Sequence, residues 1–248
     1  MVVGVTPTEL AKHYPRLYHM AEGSSWAGIQ RHGLLSTIAL LDLFEVTPDA
    51  RRAILSEQRT ESITIEHPVH GKAVIRDQKP LNRSKLEKKA LKGCSFQQWL
   101  DMLNSRVFFW LCKERLQTLM CAREYCSQTH VVLVLDTLRL ATDLQQSITL
   151  APMNTGNTRP FAHERSLQTF RRMAEYPFEE RLHRGLYYTA VELAVEIGVP
   201  NIMDYLIEAA EMKCSTCDKE SQTIQMVGKL YPRDGPFRSK PGTGGTFP

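Results

Sequence analysis

The chain has 248 residues, enough for one sizeable core, and its 42% hydrophobic and 23% charged residues are the proportions of a folded globular domain rather than a disordered one. Thirty-one basic against 27 acidic residues give a formal charge of +4, which permits a nucleic-acid partner without requiring one. No run approaches the roughly 18 apolar residues of a bilayer span, and the opening from Met1 to Thr8 has no basic-then-apolar leader, so a cytoplasmic protein with no membrane partner is expected.

In chain order, Thr8 reads as the N-cap of a short helix to His13, stopped by Pro15, and Leu17-Tyr18-His19-Met20 as a first strand. Ser24 or Ser25 caps a helix through Trp26, Ile29 and Gln30 that ends at Gly33, where a left-handed residue is needed. Further helices are predicted through Ile38, Leu41 and Phe44, and from Ala50 to Ser56 after Pro48. Alternation between Ile63 and Arg76 predicts a hairpin, Lys85 to Lys92 a basic helix, and Ser95 the cap of a helix through Trp99, Leu100 and Leu103. Arg106 to Leu111 is the clearest aromatic strand; a helix from Glu114 to Tyr125, a buried strand from Val131 to Leu135, a helix from Leu138 to Leu144 and a strand from Ile148 to Leu150 follow. Beyond the turn at Asn154 to Thr158, a basic helix is expected from Glu164 to Glu175, a strand from Tyr187 to Val195 and a last helix from Asn201 to Met212. One domain therefore covers 1–212, with 45–104 as a helical and hairpin insert, and the Pro- and Gly-rich end predicts a flexible or surface-laid tail over 213–248.

The six cysteines lack the spacing of a secreted disulfide framework and are expected as reduced thiols. Cys214 and Cys217 form a CxxC pair without a second pair or a clear histidine partner, so no metal site is expected. Taken singly, His19 is a half-buried strand histidine, Glu192 an edge-strand carboxylate and Arg115 a solvated helix residue. Their order and neighbours say more. Leu17-Tyr18-His19-Met20, with Trp26, Ile29 and the run from His32 to Ser36, resembles the opening of the DarT-type ADP-ribosyltransferases. The aromatic strand from Arg106, Arg115 after it, and Val191-Glu192-Leu193 followed by Val199-Pro200 extend the resemblance over roughly Leu17 to Leu206. Cys112-Lys113-Glu114-Arg115 departs from the family's loop at that point, which leaves the functional arginine open between Arg106 and Arg115.

The resemblance implies an α+β fold built on an ADP-ribosyltransferase-like split sheet, mixed or antiparallel, flanked by helices, with NAD as substrate. Carried over, His19 and Met20 contact the ribose and nicotinamide of NAD. Ser36, Arg106, Phe109, Trp110 and Asn154 join them in binding it, one of the two aromatics being a core residue because neighbours on a strand point to opposite faces. Glu192 is catalytic, with Arg115. Cleaving the nicotinamide–ribose bond builds positive charge at the sugar carbon, which asks for a nearby carboxylate. Glu196 shares a strand face with Glu192, but Glu192 lies inside the apolar run. The family implies a nucleic-acid acceptor, DNA or RNA, for a toxin or anti-phage effector with an antitoxin protein as partner; Arg165, Arg171 and Arg172, just upstream of Glu192, are the expected phosphate contacts. Alternatives are a protein acceptor, RNA 2′-phosphotransferase-like chemistry, and an inactive binding domain of the same fold.

Overall fold

The computed structural model describes residues 4–216 and 222–232. Thr6, not Thr8, caps α1 (Pro7–His13): its hydroxyl accepts from the Glu9 N–H while the Glu9 carboxylate accepts from the Thr6 N–H, and Pro7 takes the first helical position, where its missing N–H costs nothing. β1 (Arg16–Glu22), α2 (Trp26–His32), α3 (Thr37–Leu43) and α4 (Pro48–Ser56) follow close to their expected bounds, with an unforeseen short strand β2 (Leu34–Leu35) after α2. Gly33, at φ 78°, ends α2; a Cβ there would sit 2.4 Å from the Val199 and Pro200 carbonyl oxygens, so both the turn and the packing require glycine. The insert contributes the hairpin β3 (Ile63–His67) and β4 (Gly71–Ile75), α5 (Arg83–Lys85) continued by one π-helical turn, and α6 (Phe96–Asn104), which starts at a Ser95/Gln98 capping box.

Next come β5 (Arg106–Trp110), α7 (Lys113–Met120), β6 (Thr129–Asp136), α8 (Thr137–Asp143) and β7 (Ile148–Ala151). β8 (Arg171–Arg172), α9 (Phe178–Leu182), α10 (Leu186–Thr189), β9 (Glu192–Glu196), β10 (Gly198–Val199), β11 (Leu206–Thr216) and β12 (Thr223–Tyr231) complete the described chain. Four expectations fail here. The helix foreseen from Glu164 to Glu175 is irregular chain with the short β8, because Arg165 turns inward and bonds loop carbonyls instead of lying on a solvated face. Tyr187 to Thr189 belongs to α10, and the strand begins only at Glu192. The helix foreseen from Asn201 to Met212 is the long strand β11: its Ala, Glu, Leu and Met residues favour helix locally, but the free edge of β6 pairs it from Leu206 to Lys213. The tail expected from Lys213 likewise enters the sheet, at Lys213 to Thr216 and in β12.

The fold is α+β, a large antiparallel sheet flanked by helices, in the order β12-β11-β6-β1-β5-β9-β7-β8. Leu17, Phe109, Leu133 and Leu193 form the main core on one face. On the other, Tyr18, Met20 and Val132 pack with Leu116 and Met120 of α7, while Trp99 and Leu100 of α6 cover Ala194. The insert adds its own cluster, Phe44, Ile54, Ile65 and Ile75, between α3, α4 and the hairpin. Cys121 and Cys214 form a disulfide between the end of α7 and β11, where free thiols are the sequence expectation; Cys217 lies outside the described residues. Among the described residues no His/Cys/Asp/Glu group is arranged to hold a metal, and no helix is long and apolar enough to cross a membrane.

Candidate active site

β1 pairs with β6 along its whole length, Arg16 to Glu22, but meets β5 only at Tyr18–Trp110 among the described residues. Beyond that pair the sheet parts and a cleft opens between β1 and β5. Two adjoining cavities of about 220 and 260 Å³ occupy it, one bordered by His19 and the other by Glu192. Met20, Thr37, Arg76, Arg106 and Phe108 border both. The register of β5 against β9 sets Trp110 opposite Glu192, Phe108 opposite Ala194 and Arg106 opposite Glu196, so these six share a face. Phe109 points the other way into the main core, 1% exposed. Phe108 takes the cleft position expected of Phe109.

His19 Nδ1 lies 2.8 Å from the Phe108 carbonyl oxygen. That oxygen can only accept, so Nδ1 carries the proton and Nε2 is left as an acceptor on a ring bordering the cleft. Burial, more than the Phe108 bond opposes it, pushes the ring down to about 4, with the Arg76 charge acting in the same direction. The imidazole is therefore neutral near pH 7 and suited to accept a hydroxyl proton from a ligand.

Glu192 is 4% exposed at the start of β9. Its Oε2 accepts from the Thr155 hydroxyl at 2.6 Å and the Thr155 N–H at 3.1 Å, while Oε1 has no hydrogen-bond partner among the described residues. Burial raises the carboxyl to about 7, against the Thr155 bonds and the charges of Arg165 and Arg115. The loop bearing Thr155 is held from behind: Arg165, 1% exposed, donates to the His163 carbonyl at 2.7 Å, the Asn154 carbonyl at 3.3 Å and the Asn157 carbonyl.

His19, Met20, Arg106, Trp110, Asn154 and Glu192 thus border one cleft. The remaining expected residues are elsewhere. Ser36 is buried as the N-cap of α3, accepting from the Ala39 N–H, and Thr37 beside it reaches the cavities instead. Arg115 donates to the Tyr187 carbonyl at 2.7 Å, lies 3.8 Å from the Tyr187 ring centroid, and lines a neighbouring concavity that shares Trp110 and Asn154 with the Glu192 cavity. Of the two candidate arginines, Arg106 lines both cavities of the cleft and Arg115 the concavity beside them. Arg165 is a buried loop anchor, Arg171 is exposed on the outermost strand, and Arg172 pairs with Glu196 at 2.8 Å; the three form no common surface. Glu196 also holds Arg106 at 2.9 Å and is committed to these ion pairs. Arg76, Thr155 and Phe108 are cleft residues that sequence reasoning missed. The Asn154-Thr155-Gly156 turn was a visible signal for Thr155, whereas nothing local marked Arg76.

Residues 15–206 match DUF7002, a family of unknown function. The match spans most of the chain, and the chain belongs to that family. No curated protein and no solved structure matches it.

Proposed function

We propose that this member of the DUF7002 family is an ADP-ribosyltransferase of the split-sheet type, taking NAD as substrate, releasing nicotinamide and passing ADP-ribose to a nucleic acid. One observation carries the reading: a neutral histidine with a free acceptor nitrogen and a buried carboxylate with a free oxygen stand on either side of Phe108 and Trp110 in one parted sheet. A histidine acceptor suits a ribose hydroxyl, an aromatic flank suits the nicotinamide ring, and Glu192 Oε1 suits a hydrogen bond that strengthens as the sugar carbon becomes cationic. The glycosidic electron pair leaves with nicotinamide, and the acceptor's nucleophile forms the new bond to the same carbon and gives up its proton.

Behind the Asn154 loop lies a larger concavity of about 760 Å³ that offers an acceptor surface. Arg184 borders it with Arg159, which also pairs with Glu124, and Arg181, which also donates to the Thr189 and Tyr188 carbonyls, together with Phe161, 77% exposed, and Tyr188, 58% exposed. Cations for phosphates beside aromatic faces for bases suit a single-stranded nucleic acid, and these residues take the role first expected of Arg165, Arg171 and Arg172. An origin as a toxin or anti-phage effector, acting in the cytoplasm with an antitoxin partner, belongs to the same reading and rests on the DarT resemblance. Incubation with labelled NAD and separate DNA, RNA and protein pools tests it. Label on DNA or RNA, absent with Glu192→Gln, is the expected result; label on protein alone removes the nucleic-acid acceptor, and no nicotinamide release from any pool removes the transferase.

A further inference from the structure

The insert supplies a side chain to the cleft whose hydrogen-bonding capacity is unmet. Arg76 follows β4 and borders both cavities at the point where they meet. Its guanidinium makes no hydrogen bond to any described residue, and its Nη1 is fully buried without a partner. It rests on the Tyr125 ring at 5.0 Å, an arrangement that fixes the guanidinium plane without satisfying its N–H groups. The second arginine at this junction, Arg106, binds Glu196, Met102 and Ser105 through its terminal nitrogens, yet its Nε is also buried and unpartnered. Arg76 therefore brings to the junction of the two cavities a guanidinium that makes no hydrogen bond to any described residue, and an anionic oxygen is the group that would engage it.

Arg76 is held in place from below. Arg59, 8% exposed, donates from Nε to the Arg76 carbonyl at 3.0 Å and from Nη1 to Asn104 Oδ1 at 2.9 Å, which fixes the backbone at the end of the hairpin. Asp77, next to it in the chain and also lining the second cavity, accepts instead from the Tyr125 hydroxyl at 2.7 Å and the Lys79 N–H at 3.0 Å. The Arg76 guanidinium is therefore left at the junction with neither an ion pair nor a hydrogen bond to any described residue.

We infer that Arg76 and Arg106 form a diphosphate-binding site at the waist of the cleft, with Arg59 as the positioning residue, so that the ligand is two nucleoside halves joined by a diphosphate. The two cavities are alike in size, about 220 and 260 Å³, and together fall in the range of cofactor sites, roughly 300–1,000 Å³. The hairpin insert is then the element that recognises the bridge between the halves. This inference rests on the proposed NAD cleft, but its test does not need turnover.

Calorimetric titration of the full chain with ADP and with adenosine, for wild type, Arg76→Ala and Arg76→Lys, separates the diphosphate from the rest of the ligand. The expected result is a loss of ADP affinity of about tenfold or more in Arg76→Ala, less in Arg76→Lys, with adenosine affinity changed less than about twofold. Unchanged ADP affinity, equal losses for ADP and adenosine, or a wild type that binds no ADP overturns the site. Unfolding midpoints check that the variants fold, as a side chain without protein hydrogen bonds should allow. A protein that binds ADP through Arg76 but never cleaves NAD keeps the diphosphate site and sinks the transferase. NAD cleavage indifferent to Arg76→Ala does the reverse.

Discussion

The two long sides of β1 differ as structural joint and working surface differ. Toward β6 the strand is paired from Arg16 to Glu22, and the residues around the joint, Val131 to Leu135, are fully buried and apolar. Toward β5 it is paired, among the described residues, only at Tyr18–Trp110, and the parted edge collects His19, Arg76, Arg106 and, across β5, Glu192. Hydrogen bonds that would have closed the sheet are replaced by a ring nitrogen on the Phe108 carbonyl. Polar groups kept out of water and incompletely matched lower stability, and a fold retains them where a ligand completes them. The open side of β1 has the character of a site and the closed side that of a core.

If that contrast holds, variants of the open side change activity more than stability. The largest effect is expected at Glu192→Gln, a loss of transfer of at least roughly a hundredfold with NAD affinity retained, because the lost interaction acts on charge that develops only in the transition state. Single-turnover nicotinamide release beside a binding isotherm measures both; full activity would move the site off β9. Arg165→Met tests the wall behind Glu192. It leaves loop carbonyls unpaired and should cost about 2–4 kcal/mol in denaturant unfolding, together with a roughly tenfold fall in transfer as Thr155 loses its fixed position. A stability loss without any change in transfer would show that the loop has no part in catalysis.

His19→Ala removes one hydrogen bond to the ligand and should weaken NAD binding about five- to tenfold. An unchanged dissociation constant with a lowered unfolding midpoint would make His19 a core histidine after all. The smallest effects are those of pH on stability, and the two groups act in opposite directions. Glu192 has its folded value raised from 4.5 to about 7, so its contribution is full below about 4.5 and is lost as pH rises through about 7. For His19 the folded value falls from 6.5 to about 4, so its contribution is present above about 6.5 and is lost as pH falls through about 4. Glu192→Gln should therefore unfold a few degrees higher than wild type at pH 8 and show no such gain at pH 4.5. Equal gains at both values would tie the effect to packing and not to ionisation.

Much of the sheet between β6 and β7 was legible in the sequence. β1, β5, β6 and β7 announce themselves through β-branched and aromatic runs, and α3, α4 and α6 through Pro or Ser at their starts. β11 was not legible, since its Leu-Ile-Glu-Ala-Ala-Glu-Met run carries helix-favouring residues and only the unpaired edge of β6, more than 70 residues earlier, decides for strand. At the site, His19 and Glu192 stood out by their order and neighbours, Glu192 also as a carboxylate inside an apolar run, and the structure brings both to the border of one cleft. Phe108 and Phe109 could not be told apart without the β5–β9 register, which is a property of two strands and not of one. Arg76 was invisible for a similar reason: its importance comes from where the hairpin docks and from an N–H left without a partner, neither of which is written in its neighbours.

The order of strands also sets a timetable. β9 pairs with β5 on one side and with β7 on the other, so the middle of the sheet waits for a strand made long after its neighbours. A chain emerging from the ribosome can lay β1 against β6 once Asp136 is out, yet Glu192 cannot meet Trp110 until β9 has appeared and inserted. Through most of its synthesis the polypeptide therefore holds His19, Arg76 and Arg106 without Glu192, and the insertion of β9 between β5 and β7 is the step that brings the four to one cleft.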